Sequence, residues 1–391
     1  MKKVLCCFFG LLALSLVGCN AQIDSAQKSK CEANDAKSCY EIGMAILSQS
    51  QLRREDGGKM FDANALKLSG QYLLKACNLN YGEGCFFYGM TIVVSGLNKL
   101  DATELDNEKL IQTKLKKAFQ DAVKYNQKAC DLGSVAGCDD LARAYLSGAG
   151  VKKDRKKAFV LSQKSCNLAQ SNKEDVDIFD AGTARAGASC SRVGRMYYKG
   201  DAGVKQNKQL ALRYFYKACE VNGMECGMLV GGFVEQKDYK FAFDIAKKGC
   251  DLGNDLSCNH LGILYTQGQG IKQNSQKSFS TFYKLCNQNK TSYTIGVKQM
   301  GCYNLALCYA SGRGVEKSYK KAFDIFKTLC DEEDEMGGAC EMVGEFYLDA
   351  KGVRQDYGKA LEYFGKACDL GEQNGCDNHK MLKQKHFANG L

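Results

Sequence analysis

The 391-residue sequence contains no proline, no tryptophan and only three histidines. Proline is the strongest breaker of the helical hydrogen-bond ladder, so its absence fits a chain of helices and short turns, although a biased genome would leave the same mark. The histidines, His260, His379 and His386, form no metal-ligand cluster in sequence. The apolar run from Val4 to Val17 is about 14 residues long, short of the ~20 that a membrane-spanning helix needs. A hydrophobic content of 45% is ample for a core and excludes a disordered chain.

Cysteine, by contrast, is abundant, with 22 in the chain. Five pairs share one spacing of eight positions: Cys31/Cys39, Cys77/Cys85, Cys130/Cys138, Cys250/Cys258 and Cys368/Cys376. Cys219/Cys226 is one shorter, Cys330/Cys340 two longer, and Cys166/Cys190 and Cys286/Cys302 carry insertions. Regular pairing at this density reads as a disulfide framework formed in an oxidising compartment. Zinc is the rival reading, but structural zinc sites use spacings of about two to four residues and four converging ligands. No metal and no cofactor is expected. Cys308 has no partner at the repeat spacing; it is read as a buried thiol, with an intermolecular disulfide or a contact to an inserted loop as the alternatives.

Lys2 and Lys3 followed by the apolar run have the pattern of an export signal over residues 1–18, which contains Cys6 and Cys7. The run ends in Leu16-Val17-Gly18-Cys19, which resembles a bacterial lipobox. That resemblance implies lipidation of Cys19, so that the protein meets the membrane only through a lipid anchor. Cleavage near Ala21, giving a soluble secreted protein, is the alternative. Residues 19–30 read as a polar tether. The expected location is the cell envelope (periplasm or outer membrane) or the exterior. Removing Lys2 and Lys3 with the signal lowers the net charge from +10 to +8. Basic residues are mixed with acids on helix faces, as in Lys152 to Lys157, so nucleic acid is not an expected partner.

From Cys31 the chain repeats. In the clearest unit Cys138, Leu141 and Tyr145 share a helix face, Ala142 leaves room for a neighbour, and Gly148 and Gly150 end the helix. A second amphipathic helix carries Ala158, Phe159 and Leu161 to Cys166. The first-helix signature returns at Cys190, Cys258, Cys302 and Cys340. A small residue stands eight positions before the closing cysteine in every second helix: Ser69, Ala122, Ala158, Ala211, Ala242, Ser278, Ala322 and Ala360. The basic period is 36 residues, as from Cys130 to Cys166. Residues 48–62 and 95–117 lengthen early loops, the latter with a charged segment of helical character, and further inserts fall at 167–189 and 287–301. The expected fold is all-α: an α-solenoid of about eight antiparallel helix hairpins over 31–376, closed by a C-terminal cap or tail at 377–391.

The motif Lys-Ala-Cys…Gly…Cys-x-x-Leu-Gly-x-x-Tyr-x-x-Gly-x-Gly-Val resembles the Sel-like repeat variety of tetratricopeptide-type hairpin. Its cysteine pair is similar to that of the Helicobacter cysteine-rich protein family, over about residues 31–380. The resemblance implies a secreted right-handed superhelix with one disulfide clamping each hairpin. It also implies association with host proteins or peptides, and weak penicillin binding or β-lactamase activity.

Two functions follow as expectations. The first is a scaffold that binds a peptide or protein, from the host or the cell envelope, on a concave surface of first helices. Helical phase nominates Arg143, Arg192, Arg195, His260 and Asn304 for that surface. An envelope-bound organiser that recruits cell-wall enzymes is a variant of it. The second is hydrolysis of a β-lactam ring, with a β-lactam or peptidoglycan as ligand. Ser25-Ala-Gln-Lys28 and Ser318-Tyr-Lys-Lys321 match the Ser-x-x-Lys pattern of serine acyl-enzymes. Two matches are what chance supplies in a chain this rich in serine and lysine, and no Ser-Asp-Asn or Lys-Thr-Gly companion is present. No catalytic residue is assigned.

Overall fold

A computed structural model describes residues 25–49, 51–53, 59–100, 104, 107–171, 181–288, 295–331 and 335–387. The export signal of residues 1–18, Cys19 and the first part of the tether lie outside them. The second part of the tether differs from expectation: residues 25–30 are helical and belong to α1, Ser25–Glu32. Cys31, buried at the end of α1, anchors that turn through its disulfide to Cys39.

The rest is a series of helix pairs, with the chain dividing into two compact units at Glu225/Cys226. In the first unit α2 (Ala36–Gln49) pairs with α3 (Ala63–Asn78) and α4 (Gly82–Leu97) with α6 (Lys116–Asp131). There α7 (Val135–Ser147) also pairs with α8 (Arg155–Ser171), and α9 (Ala181–Lys199) with α10 (Lys208–Val221). Next come α11 (Gly223–Glu235) and α12 (Tyr239–Asp251). In the second unit α13 (Asp255–Gln267) pairs with α14 (Ser275–Cys286), α15 (Ile295–Ser311) with α16 (Tyr319–Asp331), and α17 (Gly337–Leu348) with α18 (Tyr357–Asp369). Finally α19 (Gln373–Phe387) packs on α18, burying Leu382.

Inserts become local structure. Residues 51–53 and 59–61 form a two-stranded antiparallel ribbon, β1 and β2, with Leu52 opposite Met60. Asn98 Nδ2 donates to the Phe61 carbonyl at 2.7 Å and ties the ribbon to the end of α4. Part of the 95–117 insert is α5, Glu108–Lys114, capped by Asn107, whose side chain accepts from the Leu110 amide. The insert between Cys166 and Cys190 is partly absorbed by lengthening α8 to Ser171 and starting α9 at Ala181.

Small residues decide how closely the two helices of a hairpin approach. All eight of the small second-helix residues are buried, from Ser69 to Ala360. Where that residue is serine its hydroxyl finds a partner across the hairpin. Ser69 Oγ donates to Gly43 O at 2.7 Å, and Ser278 Oγ to Gly262 O at 3.0 Å. The glycine or alanine four positions after the first-helix cysteine thus faces the small residue of the second helix, and aromatics such as Phe215, Phe282, Phe326 and Phe364 fill the core around them.

Each disulfide sits elsewhere than in the hairpin. Cys130 ends α6 and Cys138 lies in α7, with Cα atoms 4.5 Å apart, so the bridge crosses from one hairpin to the next. The same holds for Cys77–Cys85, Cys166–Cys190, Cys250–Cys258, Cys286–Cys302, Cys330–Cys340 and Cys368–Cys376. Cys219 and Cys226 are disulfide-bonded as well. Within each unit these bridges therefore clamp consecutive, packed pairs of helices, the second helix of one repeat and the first helix of the next. The turn explains why. Gly133, at φ +88°, ends α6 in a left-handed step, and the Ser134 amide donates back to Ala129 O at 2.9 Å. The Ser134 hydroxyl then accepts from the Gly137 amide at 3.0 Å and starts α7. A Cβ at Gly137 would lie 2.5 Å from Ala129 Cβ, so only glycine allows the two helix ends to come within disulfide reach.

Candidate binding face on the first helices

In the first unit α7 touches both α4 and α9, so first helices of consecutive hairpins lie side by side. Charged side chains meet between them. Asp139, next to Cys138 and almost fully buried, accepts from Ser189 Oγ at 2.6 Å and from Arg192 Nη1 at 2.8 Å. Arg143 Nε lies 3.4 Å from its other oxygen. Arg192 Nη1 also donates to Ser162 Oγ at 3.1 Å. Asp140 pairs with Arg143 and Arg185, and the Arg185 guanidinium rests 4.8 Å from the Phe86 ring centroid. Burial alone would raise the Asp139 carboxyl, but the charges of Arg192, Arg143 and Arg185 and the Ser189 hydroxyl outweigh it and hold it at about 2.

Beside this network Ser191 Oγ donates to Glu225 Oε2 at 2.7 Å. Burial pushes the Glu225 carboxyl above its ordinary range, against the Ser191 hydrogen bond and the charges of Arg195 and Arg192.

In the second unit α13 and α15 meet through amides instead. Asn304 Nδ2 donates to Asn259 Oδ1 at 3.0 Å, linking α15 to α13. Asn259 is buried, and its own Nδ2 has no partner among the described residues. His260, the next residue, is half-buried, and burial lowers its pKa.

The five residues nominated by helical phase therefore fall into two groups. Arg143 and Arg192, with side chains 22% and 17% exposed, are held by ion pairs to Asp139 and Asp140. Arg195 is exposed, and Asn304 and His260 are half-buried on α15 and α13. Phase placed these residues on the first helices but could not see the acids opposite. Asp139, Ser189 and Glu225 all adjoin a first-helix cysteine in sequence, and that adjacency is the signal that would have found them. Arg185 had no such signal, because it lies in an insert that extends α9.

The Ser-x-x-Lys match at Ser318 has a different use. Ser318 Oγ accepts from the Lys321 backbone amide at 3.3 Å, as a helix cap, while the Lys321 ammonium sits 5.3 Å from the Tyr309 ring centroid. Cys308 is a buried free thiol in the core of the second unit, and burial raises its pKa. Among the described residues no group of His, Cys, Asp or Glu is arranged to hold a metal, and no helix is long and apolar enough to cross a membrane.

The Sel1 repeat family model matches residues 114–134, 135–169, 187–222, 225–254, 255–290, 299–334 and 338–372. Cytochrome c oxidase assembly factor 7 of Xenopus tropicalis is 28% identical over 177 residues, which span 42% of this chain and 70% of that protein. Among solved structures, a Sel1 repeat protein from Oxalobacter formigenes superposes with a TM-score of 0.48 at 15% identity, covering 95% of this chain and 92% of its own. Helicobacter pylori cysteine rich protein B is 29% identical over 43% of this chain and 96% of its own, with a TM-score of 0.27.

Proposed function

This chain belongs to the Sel1 repeat family, and on that premise we propose that it is a scaffold that holds a peptide or protein partner against its first helices, without chemistry of its own. Proteins built of Sel1 repeats generally serve protein–protein interaction, and the disulfides fit work in an oxidising, exported setting. The observation that carries the reading is the amide pair of Asn259 and Asn304. It joins neighbouring first helices at 3.0 Å and fixes Asn304, which is half-buried and so still reachable by a partner. Amide side chains on successive repeats suit a peptide backbone, whose N–H and C=O groups need alternating acceptors and donors. Arg195 would add a charge-assisted contact in the first unit, and His260 a neutral imidazole in the second.

The buried network around Asp139 supports the same reading from the side of rigidity. A surface that binds without rearranging keeps its affinity because little conformational entropy is lost on association. The Xenopus relative is an assembly factor, a role compatible with handling protein partners.

The test is a peptide array screened with the purified, oxidised chain, followed by titration of the best peptide against Asn304→Ala, His260→Ala and Arg195→Ala. Loss of a hydrogen bond to a partner at one of these positions weakens binding by about fivefold to tenfold. Peptides that bind all three variants as tightly as the native chain would place the docking surface elsewhere. Turnover of a chromogenic β-lactam by the native chain, abolished by Ser318→Ala, would restore the enzymatic alternative.

A further inference from the structure

The insert helix α5 stands beside the glycine loop that follows α7, and between them lies a cleft of about 640 Å³. Lys109 on α5, Lys116 at the start of α6 and Lys152 in the loop line it, together with Gln112, Gln120 and Phe119. We propose that this cleft binds a small organic polyanion carrying two or three carboxylate or phosphate groups.

Three observations converge on that ligand. Among the described residues the lining contains lysines, amides, Thr113 and glycine-loop backbone, and no acidic residue. None of Lys109, Lys116 and Lys152 makes an ion pair among the described residues, whereas lysines just outside the cleft do: Lys114 with Glu104, and Lys117 with Asp121. Three cations without an acidic partner among the described residues raise the potential of one recess, and an anion bound there relieves their mutual repulsion. The volume lies within the range of small-molecule sites, and the amides supply neutral donors and acceptors for the body of a ligand.

The cleft is also firmly built. Gly150, at φ +72°, brings the loop so close to α6 that a Cβ there would lie 2.5 Å from the Phe119 carbonyl. Similar close approaches recur at Gly270, Gly314 and Gly352, so resting this loop on the preceding second helix is a feature of the repeat. Among the described residues only the loop at Gly148–Lys152 has an inserted helix beside it to form a second wall. Buried Ile111 and Leu115 fix that wall by packing with Phe119 and Ala149.

Isothermal titration of the full oxidised chain with citrate and with pyrophosphate tests the site. Saturable one-site binding is expected, weakening as salt rises and falling about tenfold in Lys116→Gln/Lys152→Gln. Lys380→Gln/Lys383→Gln, on α19, should bind as the native chain does. The exposed position of all four lysines keeps both variants folded, which their circular dichroism verifies. Whichever anion binds more tightly identifies the group recognised. No saturable binding of either anion, equal binding by both double variants, or much tighter binding of a tetraglutamate peptide than of citrate would each overturn the proposal.

Discussion

The carboxylate of Asp139, at the start of α7, accepts a 2.8 Å hydrogen bond from the Arg192 guanidinium of α9, joining consecutive repeats by a buried ion pair. Removing the charge leaves Arg192 without its ion-pair partner, and Arg143 and Arg185 with Asp140 alone. Asp139→Asn should therefore destabilise the first unit by about 3 kcal/mol at neutral pH. Because the folded carboxyl is held at about 2, below its unfolded value of 3.8, its stabilisation is complete above about pH 4 and disappears as the pH falls through about 2. The deficit of the variant should shrink over that acid window. Denaturant titrations at several pH values measure it, and a pH-independent deficit would show that the charge is not responsible.

Glu225 has the opposite sign. Its carboxyl is raised above the ordinary range by burial, so the folded chain holds the proton more tightly than the unfolded chain. Stability is highest below the ordinary glutamate range and declines as the pH rises through the raised value. Glu225→Gln, which keeps an acceptor for Ser191, should raise the thermal midpoint at neutral pH and leave it unchanged in acid. A lower midpoint at neutral pH would mean that the attraction of Arg195 and Arg192 outweighs burial.

Gly137 and Gly231 should respond differently to the same substitution. Gly137→Ala drives a methyl against Ala129, for an expected loss of about 1–3 kcal/mol and slower closure of the Cys130–Cys138 bridge. Gly231, in the interior of α11, has nothing within 4 Å of a new Cβ, so Gly231→Ala should be neutral or stabilise by up to about 1 kcal/mol through helix propensity. Thermal unfolding of the two variants side by side checks the contrast.

Breaking one bridge should loosen one junction. Cys130→Ser/Cys138→Ser opens a loop of about nine residues, for a chain-entropy loss of roughly 2–3 kcal/mol. In a repeat array neighbours couple mainly to neighbours, so amide exchange should quicken at the end of α6 and start of α7 and stay slow at α17 and α18. Uniform acceleration would instead mean that the array unfolds as a single unit.

Cys308 should resist alkylation in the native chain and react once the second unit unfolds, since burial both covers the thiol and disfavours the thiolate. Peptide mapping after labelling with and without denaturant reads this, and native-state labelling would show that its surroundings open.

The repeat was legible because its signals are local. Cysteine spacing, small residues eight positions before each closing cysteine and glycines after each first helix are fixed by helix geometry within one unit. Phase also put Arg143, Arg192, Arg195, His260 and Asn304 on first helices. What it could not supply was the partner of each, since Asp139 meets Arg192 from 53 positions away.

The sequence by itself determined the unit: a disulfide-linked, proline-free pair of helices, repeated down the chain, with its buried stripe and its turns. Tertiary structure alone decided what the copies do to one another. It brought the end of each second helix to the start of the next first helix for disulfide closure, committed two of the nominated arginines to buried acids, and set an inserted helix against a repeat loop to make a cleft. The physical reason is range. Propensity, capping and spacing act over a few residues, whereas burial and charge pairing depend on which distant side chains arrive at the same place.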